Sequence, residues 1–142
     1  MGKYRFLENV AIADAAFQAE AESVEELFEI CAQATFEVMA DIKTIEHKYK
    51  EDVELVGESL EELLFDWLAE LIYLKDVKSM LFSKFDIKIQ KKDGYRLAAS
   101  IWGEQTDQKK HLVKVDVKAV TYHLLEVKRT DNKWTAKVIL DI

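Results

Sequence analysis

The residues of this chain with the clearest potential for chemistry are acids near its two ends. The last five residues, Val138 to Ile142, read V-I-L-D-I, which is typical of a buried strand, so the Asp141 carboxylate and the terminal carboxylate of Ile142 follow one another directly. Near the other end, Asp14 lies in a run of small and apolar residues, where an isolated carboxylate needs a partner. Fixed anions repel each other unless a cation lies between them, and carboxylate oxygens suit calcium, magnesium or manganese. Asp14, Asp141 and Ile142 could therefore form a metal site, although Asp14 could equally cap a turn and the terminal acids could simply face water.

Lys118 is the second candidate for chemistry. It lies in the run V-K-A-V-T-Y-H, which puts a lysine, two hydroxyl groups and a histidine on one short extended segment. By alternation along a strand, Lys118, Val120 and Tyr122 share one face. An ordinary strand with a solvated lysine is the simpler interpretation.

Other kinds of catalytic site find little support. The chain contains no phosphate-binding glycine loop, no nucleophile elbow and no paired cysteines, and its three histidines follow no ligand spacing. Cys31 lies on the apolar face of a predicted helix and is interpreted as a small core residue. The lone thiol fits a reducing compartment, and no apolar run is long enough for a leader or a membrane span, so a cytoplasmic location is expected.

The charge balance bears on the partners of this protein. The chain has 142 residues, with 20 Lys and Arg against 27 Asp and Glu, which gives a formal net charge of -7. An acidic protein is repelled by phosphate backbones, so strong direct binding to RNA or DNA is not expected.

The elements that must position these residues follow from periodicity. Capping boxes at Ser23 and Ser59 predict a helix over about 23–40 and a second, strongly apolar helix from 59 through Leu74. Lys75, Asp76 and Lys78 are expected to form its solvated C-terminal end.

The remaining segments show strand patterns. One or two strands, bent near Ala13 to Ala16, are predicted within 3–21, and a short strand ends at Gly57. Beyond Met80 the hydrophobic period changes to two, with a hairpin at Asp93-Gly94. Further strands are predicted at Val113 to Val117, Tyr122 to Val127 and Trp134 to Leu140. The chain therefore predicts a single α+β domain, 1–142, with two long helices packed on a mostly antiparallel sheet.

Several of these segments together resemble the archease family. The likeness extends almost from end to end of the chain. It rests on the following residues: Tyr4 to Glu8, Asp14, Glu25 to Glu29, Phe36 to Met39 with Asp41, Leu64 to Leu74, Leu81 to Phe85, Gly103-Glu104, Val117 to His123 and Val138 to Ile142. Many members of the family read H-T-A-D where this chain has N-V-A-I-A-D, so the resemblance carries over the acid Asp14 but not the histidine and threonine.

The resemblance implies a function that composition does not. Archeases are accessory proteins of RtcB-type tRNA-splicing RNA ligases: they promote guanylylation of the ligase histidine by GTP, allow multiple turnover and broaden nucleotide use. The resemblance also implies a divalent cation at acids that match Asp14, Asp141 and the terminal Ile142. Calcium is the first expectation for this ion, with magnesium or manganese as alternatives. The functional lysine of the family matches Lys118. The chain is thus expected to be a protein cofactor and not itself an enzyme.

Two other classes remain as alternatives. A small metal-dependent phosphohydrolase could use the same acids, but no general base is evident nearby. A metal-free adaptor or chaperone could instead bind partners through an exposed face of the helix that contains Trp67.

Overall fold

Capping chemistry determines where both long helices begin. The computed structural model describes residues 2–7 and 14–142. Helix α1 spans Val24–Met39 and helix α2 spans Leu60–Lys78. Each is N-capped by the predicted serine, whose hydroxyl accepts a hydrogen bond of 3.1 Å from the amide three residues on. The predicted helix starts are confirmed, and α2 continues one turn beyond the predicted end.

The rest of the described chain is mostly antiparallel sheet. Its strands are β1 (Lys3–Leu7), β2 (Asp14–Ala21), β3 (Tyr49–Gly57), β4 (Met80–Lys91), β5 (Tyr95–Gln105), β6 (Ala119–Val120), β7 (Glu126–Thr130) and β8 (Lys133–Asp141), and a short 3-10 helix spans Ile42–Thr44. One sheet has the order β1-β2-β8-β6, with β7 pairing with the same strand β8, and the other has the order β3-β5-β4. The predicted class, α+β with two long helices and antiparallel strands, is confirmed, but the strands form two sheets where the sequence suggested one.

Both helices contact strands of both sheets. Helix α1 is therefore buried on almost every side, and Cys31 is fully buried among its apolar neighbours, as predicted. Burial raises the pKa of the Cys31 thiol, so the side chain stays a neutral core residue. The Trp67 side chain is also fully buried, and its indole N–H donates a 3.0 Å hydrogen bond to the Phe28 carbonyl, which ties α2 to α1. None of the described helices is long and apolar enough to span a bilayer.

The strand predicted at Val113 to Val117 is wrong. This segment is irregular, and Val113 and Val115 are 40% and 43% exposed while Val117 is buried. Alternation alone does not make a strand, because a strand also needs a neighbour to pair with. Within the described residues the main chain here makes isolated bonds only, such as that from the Lys114 N–H to the Met39 carbonyl at 2.8 Å.

Two other predicted strand regions differ in detail. The strand expected at Tyr122 to Val127 begins only at Glu126, because Leu124 adopts a positive φ of 56° in a preceding turn. Near the N-terminus, residues 14–16 belong to β2, and the rest of the predicted bend, at Ala13, lies outside the described residues.

Candidate functional site

Asp14 and Asp141 are cross-strand neighbours. Strand β2 runs antiparallel to β8 in a register that pairs Asp14 with Asp141. Residues opposed in this way project from the same face of a sheet, with Cβ atoms roughly 4.5–5.5 Å apart. Both residues are half-buried, and they project from the face opposite the one that carries the buried core residues Phe17 and Val138. Acids from the two ends of the sequence thus meet at one place in the fold.

The charges of this pair are not balanced within the described part of the chain. Among described residues, neither carboxylate has a hydrogen-bond or ion-pair partner. Like charges directly opposed across two strands are destabilising, so a cation between them would relieve the repulsion. The donor set consists of carboxylate oxygens, which fits a hard divalent cation.

Side chains of this pair alone do not complete a metal site. No group of three or more His, Cys, Asp or Glu side chains in residues 2–7 and 14–142 is arranged to hold a metal ion. Asp14 and Asp141 therefore contribute two carboxylates here, and Ile142 is the residue that follows Asp141 at the end of β8. The Ile142 side chain packs against the core, which anchors the end of the chain beside Asp141.

Strand β8 also positions Lys118. The Lys118 N–H donates a 2.8 Å hydrogen bond to the Asp141 carbonyl, and Ala119 pairs with Asp141 in the register of β6 and β8. The Lys118 side chain is exposed and lines an open groove between α2 and β6, with Tyr73 and Asp76 on the helix side. Asp141 is therefore the residue that links the acid pair to the lysine.

Lys75 differs from the sequence expectation of a solvated helix end. Its side chain is only 8% exposed, and its ammonium group contacts carboxylate oxygens of Asp76 at 2.6 Å and Asp116 at 2.7 Å. The same group donates a 2.9 Å hydrogen bond to the carbonyl of Val117. Lys75 therefore fastens the segment just before Lys118 to the last turn of α2. Helical spacing contains the signal for this, because position 75 follows Leu64, Leu68 and Leu71 on the buried face of the helix.

An aromatic pair holds the segment on the other side of Lys118. The rings of Tyr122 and Phe65 stack with a centroid distance of 3.8 Å and an interplanar angle of 5°. Tyr122 remains 59% exposed. Desolvation, and then the carboxylates of Asp66 and Glu62, raise the pKa of the Tyr122 hydroxyl. The negative charges of α2 near Phe65 are therefore felt at the exposed ring.

A second ionic cluster, absent from the sequence predictions, centres on buried Glu104. One carboxylate oxygen accepts hydrogen bonds from the Glu46 N–H at 2.8 Å and from Nε2 of fully buried His111 at 2.9 Å. Lys110 and Lys48 contact the same carboxylate at 3.0 and 3.5 Å. This cluster lies away from Asp14 and Asp141 in the sheet topology, and its residues already satisfy one another.

The fold and these positions define a class of α+β protein in which two helices pack on two antiparallel sheets and an acid pair lies across the adjacent strands β2 and β8 of one sheet. The chain belongs to the archease family, since the family model described as Archease protein family (MTH1598/TM1083) matches residues 4–142. The archease of Pyrococcus furiosus is 41% identical over 132 residues, which is 92% of this chain and 93% of that protein. The archease of Methanothermobacter thermautotrophicus is 42% identical over 131 residues, again 92% and 93% of the two chains.

Two solved structures share the fold. The solution structure of Methanobacterium thermoautotrophicum protein 1598 matches with a TM-score of 0.86 at 40% identity, over 98% of both chains. The crystal structure of a Thermotoga maritima protein, described as an archease and possible chaperone, matches with a TM-score of 0.64 over 97% of this chain and 98% of that one. At 21% identity the second likeness concerns the fold alone.

Proposed function

We propose that this archease is a protein cofactor of an RtcB-type tRNA-splicing RNA ligase. It promotes guanylylation of the ligase's active-site histidine by GTP, permits multiple turnover and broadens the nucleotides that the ligase accepts. In this reaction a P–N bond forms at the α-phosphate, the bond to the departing pyrophosphate breaks, and the histidine gives up its proton. The archease catalyses no reaction of its own, and it acts in the cytoplasm.

The register of β2 against β8 supports this proposal most directly. It opposes Asp14 to Asp141, and Asp141 directly precedes Ile142, whose carboxylate we take as the third ligand. These three carboxylates would hold a divalent cation, calcium in the first place and magnesium or manganese as alternatives. Such an ion supplies positive charge beside phosphate oxygens. Because calcium takes about six to eight oxygen ligands, three carboxylates leave coordination positions open for phosphate or water oxygens.

Lys118 would act on the same phosphates. Its ammonium group is exposed, while its main chain is fixed to Asp141 by a 2.8 Å hydrogen bond. A preorganised cation stabilises negative charge on a transferring phosphoryl group without reorganising during the reaction. The backbone of β8 thus fixes the main chain of Lys118 relative to the acids, and its exposed side chain extends from that point.

The partner's electrostatics agree with the charge of this chain. A ligase that binds RNA and GTP needs a positively charged cleft, which attracts a protein of net charge -7 over long range. Direct binding of this chain to RNA is disfavoured by the same charge.

The test is RNA ligation with substrate in excess of ligase, together with labelling of the ligase from α-phosphate-labelled GTP. Unsubstituted protein should increase both signals. Asp141→Ala and Lys118→Ala should each reduce the stimulation by about tenfold or more, equivalent to about 1.4 kcal/mol at the transition state.

Matched controls are Asp52→Ala and Lys88→Ala, which remove an exposed acid and an exposed lysine from β3 and β4. Both should stimulate the ligase as the unsubstituted protein does. Undiminished stimulation by Asp141→Ala would refute the role of the acid pair. A Lys118→Ala protein that only melts at a lower temperature would make Lys118 a structural residue.

A metal-free adaptor or chaperone is the second candidate, because α2 carries exposed apolar side chains such as Tyr73 and Val77, 59% and 60% exposed. This role would be favoured if stimulation of the ligase persisted after divalent ions were removed from the archease and in the Asp141→Ala variant. The phosphohydrolase alternative predicts product from GTP and divalent ions with no ligase present.

A further inference from the structure

Helix α2 presents an apolar stripe to solvent. Phe65, Ala69, Tyr73 and Val77 follow one another at intervals of four residues and so lie along one side of the helix. Phe65 and Ala69 are half-buried, and Tyr73 and Val77 are about three-fifths exposed. These four residues form what we call the α2 stripe, which is about 18 Å long at the usual helical rise. A helix is normally polar on its solvent side, so an apolar stripe there is typical of a binding surface.

The surroundings of the α2 stripe give it a shape and a charge. Tyr122 stacks on Phe65 at one end, and the groove that Lys118 lines runs alongside the stripe. Glu62 and Asp66 neighbour Phe65 on α2, on which Tyr122 stacks, and Asp76 lines the groove near Tyr73. The surface is therefore an aromatic centre with a predominantly acidic border, the combination that gives both burial and electrostatic selection of a partner.

We propose that the α2 stripe, with Tyr122, is the surface that docks on the RNA ligase, an inference that rests on the function proposed above. Charge complementarity selects this occupant, because the acidic border matches a cationic rim and an enzyme that holds RNA and GTP carries such a rim. Continuity gives a second reason. Lys118 lines the groove beside the stripe and is bonded through its main chain to Asp141, so docking here brings the proposed phosphate-binding residues to the ligase.

Direct binding of the full chain to an RtcB-type ligase tests this surface separately from stimulation. Tyr73→Ser removes an exposed ring from the centre of the stripe, and the dissociation constant should rise about tenfold or more, as it does for central aromatic residues of interfaces. Asp66→Lys should weaken association by a similar factor at low salt and by less at high salt, since salt screens rim charges. Asp141→Asn should fail to stimulate guanylylation, and without GTP, when no phosphate is there for its cation to meet, it should weaken binding far less than Tyr73→Ser does.

The control variants lie on β3, in the sheet of order β3-β5-β4. Tyr49→Ser removes a ring of comparable exposure, 56%, at the start of β3, and Glu54→Lys reverses an exposed charge on the same strand. Both should leave the dissociation constant within about twofold of the unsubstituted value. Circular dichroism spectra and melting curves of all variants establish that each is folded.

Each other outcome overturns the inference in a distinct way. If Tyr73→Ser and Asp66→Lys bind normally, the ligase docks elsewhere, and the proposed function is unaffected. If the unsubstituted protein neither binds the ligase nor stimulates it, the proposed function fails and this surface fails with it. If sedimentation shows a dimer of the chain alone that Tyr73→Ser converts to a monomer, a second copy covers the stripe and not the ligase.

Discussion

The Glu104 carboxylate shows how a buried acid can remain ionised in this protein. Burial opposes the charged form, but the hydrogen bonds from the Glu46 N–H, His111 and Lys110 outweigh it and hold the pKa of Glu104 at about 2. His111 Nδ1 accepts a hydrogen bond from the Asp107 N–H at 2.9 Å. Nε2 is therefore the protonated nitrogen, which donates to Glu104. The cluster ties the end of β5 to the segment that precedes β3.

Replacing Glu104 by Gln should make the stability of the protein less dependent on pH in acid. Folding lowers the pKa of Glu104, so its ionisation stabilises the native state at every pH above the unfolded-state pKa, which is near 4.5. This stabilisation is lost as the pH falls towards 2. At pH 7, Glu104→Gln should lower the free energy of unfolding by about 1–3 kcal/mol, because charged hydrogen bonds are lost. Urea unfolding between pH 7 and pH 3 should show the difference from the unsubstituted protein shrinking towards low pH.

The control for this prediction is Glu54→Gln, which removes an exposed carboxylate from β3. It should change stability by less than about 0.5 kcal/mol at every pH. A Glu104→Gln deficit that stayed constant from pH 7 to pH 3 would show that packing, and not ionisation, accounts for its effect.

Individual residues differ in how far the sequence predicts them. Cys31 in the core follows from helical spacing alone, and the structure confirms it. The burial of Lys75 was missed because its charge suggested a solvated end, whereas its two acidic contacts come from a neighbour and from Asp116, a distant residue. The Glu104–His111 bond was missed for the same reason: both residues look soluble until the fold pairs them.

At the scale of elements, local signals were sufficient for the helices and insufficient for some strands. A capping box is complete within four residues, so Ser23 and Ser59 mark both helix starts whatever the rest of the chain does. A strand depends on a partner elsewhere in the chain. Residues 113–117 alternate correctly but have no described neighbouring strand, and pairing begins only at Ala119, where β8 is adjacent. Pairing with a distant strand, and not hydrophobic periodicity, therefore determines which of these segments form strands.

The close approach of β4 and β5 gives a prediction at this scale. A Cβ at Gly103 would lie 1.9 Å from the Leu81 carbonyl oxygen and 2.8 Å from the Phe82 Cα, beside the register shift between Phe82 and Lys84. Main-chain atoms cannot move aside as a flexible side chain can. Gly103→Ala should therefore lower the free energy of unfolding by about 3 kcal/mol or more, measured by urea unfolding.

Ala98→Ser, on the exposed face of the same strand, is the control and should change stability by less than about 0.5 kcal/mol. Unchanged stability of Gly103→Ala would mean that β4 and β5 do not approach each other this closely.

At the scale of the whole molecule, the candidate site depends on a pairing between the two ends of the sequence. The acids Asp14 and Asp141 could be recognised as unusual from the residues around them, but only the antiparallel register of β2 and β8 makes them neighbours. The sequence around each residue does not indicate such a distant antiparallel pairing, because the intervening strands can be placed in either sheet. The family resemblance supplied what periodicity did not.

This long-range pairing leads to a prediction about ion binding. A cation held by Asp14, Asp141 and the Ile142 carboxylate binds the folded chain only, since unfolding separates its ligands. At a concentration about a hundredfold above its dissociation constant, such an ion adds about 2.7 kcal/mol to the free energy of unfolding, which corresponds to roughly 5–10 °C in the melting temperature. Melting curves with calcium, magnesium or manganese against a chelator should show this rise in the unsubstituted protein.

The variants of this experiment separate ion binding from general effects of charge. Asp14→Asn and Asp141→Asn keep the shape of the side chain, remove a ligand charge and should abolish the rise. In chelator each should melt at the same temperature as the unsubstituted protein or slightly above it, because the repulsion between two opposed carboxylates is gone. Asp52→Asn and Asp86→Asn are the matched controls. Asp52 on β3 and Asp86 on β4 are both paired with Ser100 on the strand between them, so neither is directly opposite another carboxylate. Both variants should keep the full rise in melting temperature. A melting temperature that no divalent ion changes, or a rise that survives Asp141→Asn, would show that strands β2 and β8 hold their acids without a metal.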